Sequence, residues 1–325
     1  MKKNTSLLFC VLSLLMACAP AQPKTLTVMT HGSFAISEEV VKSFEEANNV
    51  KVSFVQSGDA GEMLNKAILT KDAPLADVLF GVDNTFLSRA LEADIFEVYQ
   101  SPMLENVSDE FKLDDSFRAT PVDFGDVCIN YDKKYFSDTS VLELPQSLED
   151  LAKPQYKNLL VIEDPATSST GLAFLLVTRA HFGDGYLDYW KRLKENGVVV
   201  VDSWETAYYT NFSGSSGRGP QPMVVSYGTS PAAEVVFAET PLTDSPTSSI
   251  VAADTCFRQI EFVGILKGVK DQALAEKFVD FMLSAQFQED MPLQMFVYPV
   301  NKNAVLTEEF IKYAQTPDEP AVISP

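Results

Sequence analysis

The chain has 325 residues, a hydrophobic fraction of 46% and a formal net charge of −20 at pH 7. This length suggests about two domains of roughly 100–200 residues each, with enough apolar side chains for a sizeable core. The acidic balance argues against nucleic acid as a partner, because phosphate backbones are bound by basic surfaces. The same charge is compatible with attracting a cation and with simple solubility, so both interpretations stay open.

Few residues are available for catalysis. The only histidines are His31 and His181, which leaves little material for a zinc site or a histidine-based triad. The sequence also lacks a glycine-rich phosphate loop, a Cys-x-x-Cys pair and a Gly-x-Ser-x-Gly segment. We therefore expect a binding protein without a cofactor or a metal, and not an enzyme.

The first residues have the pattern of an export signal. A basic start precedes an apolar run that ends at Ala17, and this run is shorter than the ~20 residues of a membrane-spanning helix. The segment Leu15-Met16-Ala17-Cys18 resembles the lipobox of bacterial lipoproteins, in which the cysteine is acylated. We predict a signal peptide over residues 1–17 and a tether over residues 18–25, anchored to a membrane by lipid on Cys18. The alternative is an ordinary signal peptide with an unrelated cysteine.

Export would place the protein in the periplasm or on the outer face of the cytoplasmic membrane, where disulfides are permitted. With Cys18 assigned to lipid, Cys128 and Cys256 form the one possible intramolecular disulfide after processing. Two buried free thiols are the alternative.

The next part of the chain alternates strands with amphipathic helices. Strand patterns cover residues 26–30, 50–56 and 76–81, and helix patterns follow them from Ser37, over residues 59–71 and over residues 86–96. This alternation predicts a mainly parallel sheet with helices on both faces. Ligands of such sheets bind beyond the carboxyl ends of the strands, a region that here includes His31, Asp59 and Asp83.

A second alternation follows a long extended segment over residues 117–132. Its strands are predicted at residues 159–163, 198–201 and 223–227, and its helices at residues 147–152, 172–182 and 204–212. A second extended segment, residues 257–264, leads to a helix over residues 272–282. We expect two lobes, with residues 123–259 inserted into a lobe built from residues 26–122 and 260–325. Two crossing strands would join the lobes as a hinge that closes around a ligand.

Several segments resemble the thiamine-binding periplasmic proteins of bacterial ABC importers, within the type II solute-binding superfamily. The resemblance covers nearly all of the chain after the export signal and rests on residues 26–34, 76–84, 163–171, 204–208, 226–231 and 298–301. It implies a two-lobed α/β binding protein that works as a monomer. It also implies delivery of thiamine, or of its mono- or diphosphate, to an ABC permease in the inner membrane.

The resemblance also implies a set of ligand-binding side chains: Asp59, Ser168, Trp204 and Tyr227. Asp83, at the carboxyl end of the third strand, is predicted to join them. Three cleft positions depart from the family pattern. His31 stands where the family commonly has tyrosine, Phe296 where it often has tryptophan, and Ala233 where related chains can carry another tyrosine. We expect His31 and Phe296 to line the cleft all the same, and the changes to affect ligand form and orientation more than ligand class.

Thiamine combines a cationic thiazolium, a flat aminopyrimidine and a hydroxyethyl arm that can carry phosphate. Trp204 and Tyr227 are predicted to offer aromatic faces to the cation, each worth about 0.5–2 kcal/mol; both can also be core aromatics. Asp59 is predicted to accept a hydrogen bond from the exocyclic amine, with a helix N-cap as the alternative. Ser168 and its neighbours, at the start of an apolar helix, can bind a phosphate or act as an ordinary cap.

A rival ligand is ferric iron, because Tyr208 and Tyr209 together with His31 resemble the ligand types of ferric-binding proteins in the same superfamily. Against iron, adjacent tyrosines on a helix point about 100° apart. A further alternative in this superfamily is another small cation or a polyamine. A hydrolase is disfavoured, because no nucleophile–base pair is evident.

Overall fold

The computed structural model describes residues 24–215 and 219–321. The predicted signal peptide and Cys18 lie outside the described residues. Within the described ranges, no helix combines the length and the hydropathy that a bilayer span requires.

The described chain alternates strands and helices, as the sequence predicts. The strands are β1 (Lys24–Thr30), β2 (Val50–Gln56), β3 (Val78–Asp83), β4 (Thr120–Asp132), β5 (Leu160–Glu163), β6 (Val199–Val201), β7 (Met223–Tyr227), β8 (Thr247–Ile250), β9 (Phe257–Ile265) and β10 (Tyr298–Pro299). The α-helices are α1 (Glu38–Asn48), α2 (Ala60–Leu69), α3 (Leu87–Glu92), α4 (Leu148–Leu151), α5 (Ser169–Phe182), α6 (Tyr186–Glu195), α7 (Ser230–Val236), α8 (Gln272–Met282), α9 (Ala285–Gln294) and α10 (Glu308–Tyr313). A π-helix spans Thr206–Asn211.

The strands form one ten-stranded sheet in the order β2-β1-β3-β9-β4-β7-β5-β6, with β8 and β10 added on β4. One end is parallel, because β1 pairs in parallel with β2 and β3. The other end is parallel as well, because β5 pairs in parallel with β6 and β7. Between them β9 and β4 run antiparallel to each other and to their outer neighbours. The predicted α/β class is confirmed, and the two extended segments are the central strands that join the two parallel units.

The apolar side chains form two large cores, one on each side of these central strands. One core contains Leu26, Phe44, Val78 and Phe278, and the other contains Ile129, Ile162, Phe174 and Val225. The C-terminal helix α10 does not follow the predicted lobe division, because Phe310 packs with Ala232 of α7. The segment assigned to the first lobe by sequence thus ends against the inserted one, and the exact lobe boundaries stay a prediction.

Cys128 and Cys256 are bonded, with Cα atoms 4.4 Å apart. The bridge joins β4 to the residue before β9, one step beyond the pair Val127 and Phe257. The alternative of two free thiols is therefore wrong, and the central strands are covalently tied at one end.

Three predicted helices differ from the structure in their limits or winding. The helix predicted over residues 86–96 ends at Glu92, because Asp94 adopts a left-handed conformation (φ 55°). Helix α5 begins three residues earlier than predicted, at Ser169. The predicted helix over residues 204–212 is wound as a π-helix over most of its length.

Candidate ligand-binding site

A cavity of about 650 Å³ lies among the residues that follow β1, β2, β5 and β7. Small-molecule sites commonly measure about 300–1,000 Å³. The cavity is lined by side chains from both parallel units and from the central strand β9. Five of the predicted site residues line it: His31, Asp59, Trp204, Tyr227 and Phe296. Five residues predicted separately from the sequence therefore meet at one cavity, and ligand binding there stays a prediction.

One side of the cavity is an aromatic wall, formed by Trp204, Tyr208, Tyr209 and Tyr227. Trp204 stacks on Tyr208, with ring centroids 5.1 Å apart and an interplanar angle of 17°. Tyr209 meets Trp204 edge-on at 5.4 Å, and Tyr227 lies at 6.4 Å with a tilt of 58°. The Trp204 Nε1 donates a hydrogen bond to Ser226 Oγ at 2.9 Å. This bond fixes the indole plane at the cavity.

The π-helix determines how the two adjacent tyrosines are presented. Tyr208 is 1% exposed and its hydroxyl donates to Glu234 Oε1 at 2.8 Å, whereas Tyr209 is 54% exposed. The Tyr208 ring thus packs behind Trp204 and supports the indole. Its hydroxyl is already hydrogen-bonded to Glu234. Within the described residues, no group of three or more His, Cys, Asp or Glu side chains is arranged to hold a metal ion.

Tyr227 depends on a glycine in the neighbouring strand. A Cβ at Gly125 of β4 would lie 2.8 Å from Tyr227 Cδ1, so a larger residue there would displace the ring. The Tyr227 hydroxyl accepts a hydrogen bond from Gln259 Nε2 at 3.0 Å. Both partners come from the central strands, which therefore orient a ring that belongs to the second parallel unit.

The central strands also carry an acidic row, formed by Asp83, Glu261 and Asp123. Register places Asp83 of β3 opposite Glu261 of β9, and Glu261 opposite Asp123 of β4. Side chains of directly opposed residues lie on the same face of a sheet, so the three carboxyls share one face. Glu261 lines the cavity, whereas Asp83 and Asp123 are completely buried.

Burial changes the proton affinity of the row. Burial raises the pKa of Asp83 to about 7, although hydrogen bonds from Thr85 oppose the change. Burial, and next the charge of Glu261, hold the pKa of Asp123 well above its usual value. Mutual repulsion and the cost of desolvating a charge act together here. The protonated form of Asp123 is therefore favoured, and the pKa of Asp83 lies close to neutral pH.

His31 lies against this row. Its Nε2 is 3.5 Å from Glu261 Oε1. Burial lowers the pKa of His31, but the neighbouring carboxylates of Glu261, Asp59 and Asp83 together outweigh burial, and the pKa ends above its usual value. Gly81, with φ 99°, gives the ring its space, because a Cβ at that position would overlap the imidazole.

Asp59 lines the cavity, but both of its carboxylate oxygens are used by backbone donors. Oδ1 accepts from the amide of Ala60 at 2.7 Å, which makes Asp59 the N-cap of α2. Oδ2 accepts from the amide of Trp204 at 3.2 Å. The N-cap alternative is confirmed. Each carboxylate oxygen can accept a second hydrogen bond, so the role of Asp59 as acceptor for a ligand amine stays a prediction.

Two predicted site residues lie behind the cavity surface. Ser168 is completely buried and its Oγ is 3.0 Å from Thr170 Oγ1, while Ser169 and Thr170 reach the cavity. Asp83 is also completely buried and its Oδ1 accepts from the amide of Thr85 at 2.8 Å. Neither Ser168 nor Asp83 lines the cavity in this structure, so their direct contact with a ligand stays a prediction.

Phe296 and Ala233 line the cavity at its other side. Phe296 is 8% exposed and contacts Phe237, with ring centroids 5.1 Å apart. Phe237 itself is 64% exposed. The position keeps an apolar surface without an indole N–H donor.

Sequence reasoning missed three carboxyl residues of the lining: Glu205, Glu234 and Glu261. Glu261 gave a usable signal, because it is the one acidic residue within the otherwise apolar end of β9. With Asp59, four carboxyl residues line the cavity, against one histidine and no lysine or arginine among the described lining residues. The electrostatic character of this lining favours a cation.

Comparison with known proteins supports a binding role. The model of the bacterial extracellular solute-binding protein family matches residues 73–317. The thiamine-binding periplasmic protein of Salmonella typhimurium is 31% identical over 88% of this chain and 84% of that protein. The thiamine-binding periplasmic protein of Escherichia coli is 30% identical over 93% of this chain and 89% of that protein.

Solved structures agree. One described as a periplasmic thiamin binding protein superposes with a TM-score of 0.81 and 27% identity, covering 94% of this chain and 92% of that one. The ferric binding protein of Campylobacter jejuni superposes with a TM-score of 0.74 at 21% identity, over 91% of this chain and 93% of that one, which shows a shared fold. The predicted two-lobed type II fold is confirmed. The chain belongs to the bacterial extracellular solute-binding protein family.

Proposed function

We propose that this protein binds thiamine, or one of its phosphate esters, outside the cytoplasm and delivers it to an ABC permease. The observation that carries the proposal is the aromatic wall around Trp204, in a cavity lined by four carboxyl residues and one histidine. Aromatic faces attract flat cations, and the surrounding carboxyls add negative potential. Similarity to thiamine-binding periplasmic proteins over most of the chain supports the same ligand class.

Among the described residues, the start of α5 suits a phosphate on the hydroxyethyl arm. Ser169 and Thr170 lie on the cavity surface at the start of α5, where backbone N–H groups and the helix dipole favour an anion. We keep the mono- and diphosphate within the proposed ligand class on this basis.

Calorimetric titration of the purified protein with thiamine, its monophosphate and its diphosphate tests the ligand class. We expect saturable binding of at least one of them at one site per chain, with the ligand recovered unchanged. Binding of ferric ion with a tyrosinate charge-transfer band, and no heat with any thiamine compound, would instead assign the site to iron. Mass spectrometry of ligand retained during native purification provides an independent check.

The lipid anchor is a separate part of the proposal and rests on the sequence Leu15-Met16-Ala17-Cys18. Cys18→Ala should release the protein from the membrane fraction or leave its signal peptide uncleaved. A variant that fractionates and migrates like the unaltered protein would remove the anchor from the account.

A further inference from the structure

Two buried polar atoms at the cavity have no hydrogen-bond partner in the described protein. They are Oε2 of Glu261 and Nε2 of His31. Both residues line the cavity, and both are less than a tenth exposed. A buried polar atom without a partner is destabilising, so a pair of such atoms at a cavity surface indicates a ligand that supplies the missing bonds.

The two atoms distinguish between the rings of the proposed ligand. The thiazolium nitrogen carries no hydrogen, so this ring cannot donate a hydrogen bond through it. An aminopyrimidine presents an exocyclic amine, which donates, next to a ring nitrogen, which accepts. A carboxylate oxygen accepts and a histidine N–H donates, so Glu261 and His31 offer the complementary pair.

The other carboxylate at this part of the cavity is already engaged. Both oxygens of Asp59 accept from backbone amides, those of Ala60 and Trp204. Asp83 and Asp123 are completely buried behind Glu261. Glu261 is therefore the member of the acidic row that can reach a ligand.

We propose that Glu261 accepts a hydrogen bond from the exocyclic amine of the ligand's aminopyrimidine, while His31 binds the adjacent ring nitrogen. This inference rests on the proposed function and adds the residue that selects an amine over an oxo group. The aromatic wall then faces the cationic ring. Glu261 is a specificity-determining residue, and Asp83 and Asp123 act through it as positioning residues.

The test compares thiamine with oxythiamine, in which oxygen replaces the exocyclic amine. A site built to accept from an amine rejects the oxo compound strongly, so the unaltered protein should bind thiamine at least about 100-fold more tightly. Glu261→Gln retains the side-chain shape but adds an N–H donor that suits the oxo group. We expect this variant to bind thiamine roughly 10- to 100-fold more weakly than the unaltered protein does. The ratio of thiamine to oxythiamine affinities should fall at least about tenfold.

Asp59→Asn is the matched comparison, because it neutralises the other nearby carboxylate. We expect it to leave the ratio of thiamine to oxythiamine affinities unchanged, whatever it does to each affinity. A narrowed ratio in Asp59→Asn, or equal losses for both compounds in Glu261→Gln, would overturn the assignment.

Binding of the two compounds to the unaltered protein also tests the inference without any variant. If it binds thiamine and oxythiamine equally, the inference fails while the proposed function stands. If it binds neither of them and neither phosphate ester of thiamine, the proposed function fails. Should Glu261→Gln not fold, as judged by circular dichroism, the comparison of the two compounds in the unaltered protein still tests the inference.

Discussion

The aromatic wall and the acidic row border the same cavity but are stabilised in opposite ways. The wall packs ring on ring, with Trp204 on Tyr208 and the indole N–H donating to Ser226. The row places Asp83, Glu261 and Asp123 side by side in a buried sheet, with carboxylate oxygens that lack partners. The wall is therefore complete without a ligand, whereas the row is not. Under the proposed function, we expect the wall to supply affinity for a flat cation and the row to supply discrimination.

The two regions also differ in where their residues come from. The wall belongs mainly to the π-helix and β7, elements of one parallel unit. The row belongs to β4 and β9, the strands that link the two units, and to β3 at the edge of the first unit. Changes at the buried Asp83 and Asp123 should therefore affect stability first, and changes in the wall should affect binding first.

The largest effect on stability is expected when the disulfide between β4 and the residue before β9 is removed. Replacing Cys128 and Cys256 with alanine removes a bridge between residues 128 positions apart. We expect the free energy of unfolding to fall by about 2–5 kcal/mol. Denaturant unfolding of the double variant, beside the unaltered protein with and without reductant, measures it. An unchanged unfolding curve would mean that the bridge does not constrain these strands.

Asp83→Asn should change how the stability of the protein depends on pH. Asp83 keeps its proton in the folded state up to a pKa of about 7, whereas the unfolded chain loses it near its ordinary value of about 4. The unfolded state therefore binds fewer protons between these values, and stability falls as pH rises through this window. Asparagine removes that loss, so the variant should gain roughly 2–4 kcal/mol at pH 8 and little at pH 4. A gain that is equal at both pH values would contradict the buried proton.

Trp204→Ala should weaken binding without a matching loss of stability. The stacking and cation–π contributions together amount to about 1–3 kcal/mol, or roughly 5- to 150-fold in affinity. Trp190→Phe is the control. Trp190 packs against the core that contains Ile129 and Phe174, and its indole N–H donates to Thr178. It does not line the cavity. Paired melting curves and titrations separate binding from folding. Unchanged affinity in a folded Trp204→Ala variant would remove the indole from the site.

The smallest effect is expected for Tyr227→Phe. The ring remains on the aromatic wall and only the hydrogen bond from Gln259 is lost, so affinity should change by less than about tenfold. Tyr227→Ala should cost more, because it removes the ring itself. If the phenylalanine variant loses as much as the alanine variant, the hydroxyl and not the aromatic face is what binds.

Periodicity predicted most of the secondary structure. The strand over residues 50–56, the strand over residues 223–227 and the helix over residues 272–282 have the predicted limits. The first strand and the helix have one apolar face, and the second strand is a short apolar run buried on both faces. The limits failed where backbone geometry overrides the pattern, as at Asp94 and in the π-helix.

The cleft could be predicted from sequence, but the use of its individual side chains could not. Asp59 hydrogen-bonds to an amide 145 residues away, and no local pattern encodes that partner. The position of Glu261 beside Asp83 and Asp123 depends on the register of β9 between β3 and β4. The sequence alone does not show this register or the oxygen of Glu261 that lacks a partner among the described residues. Trp204 and Tyr227 were assigned to the cavity correctly because the resemblance fixed their positions in the fold.

Fluorescence of a one-tryptophan variant tests the central claim most directly. The chain has two tryptophans, so Trp190→Phe leaves Trp204 as the sole indole, at the surface of the proposed site. Titration with thiamine should change its emission saturably, with a midpoint equal to the calorimetric affinity and one site per chain. Calorimetric binding of thiamine without any change in Trp204 emission would place the ligand elsewhere and contradict the account.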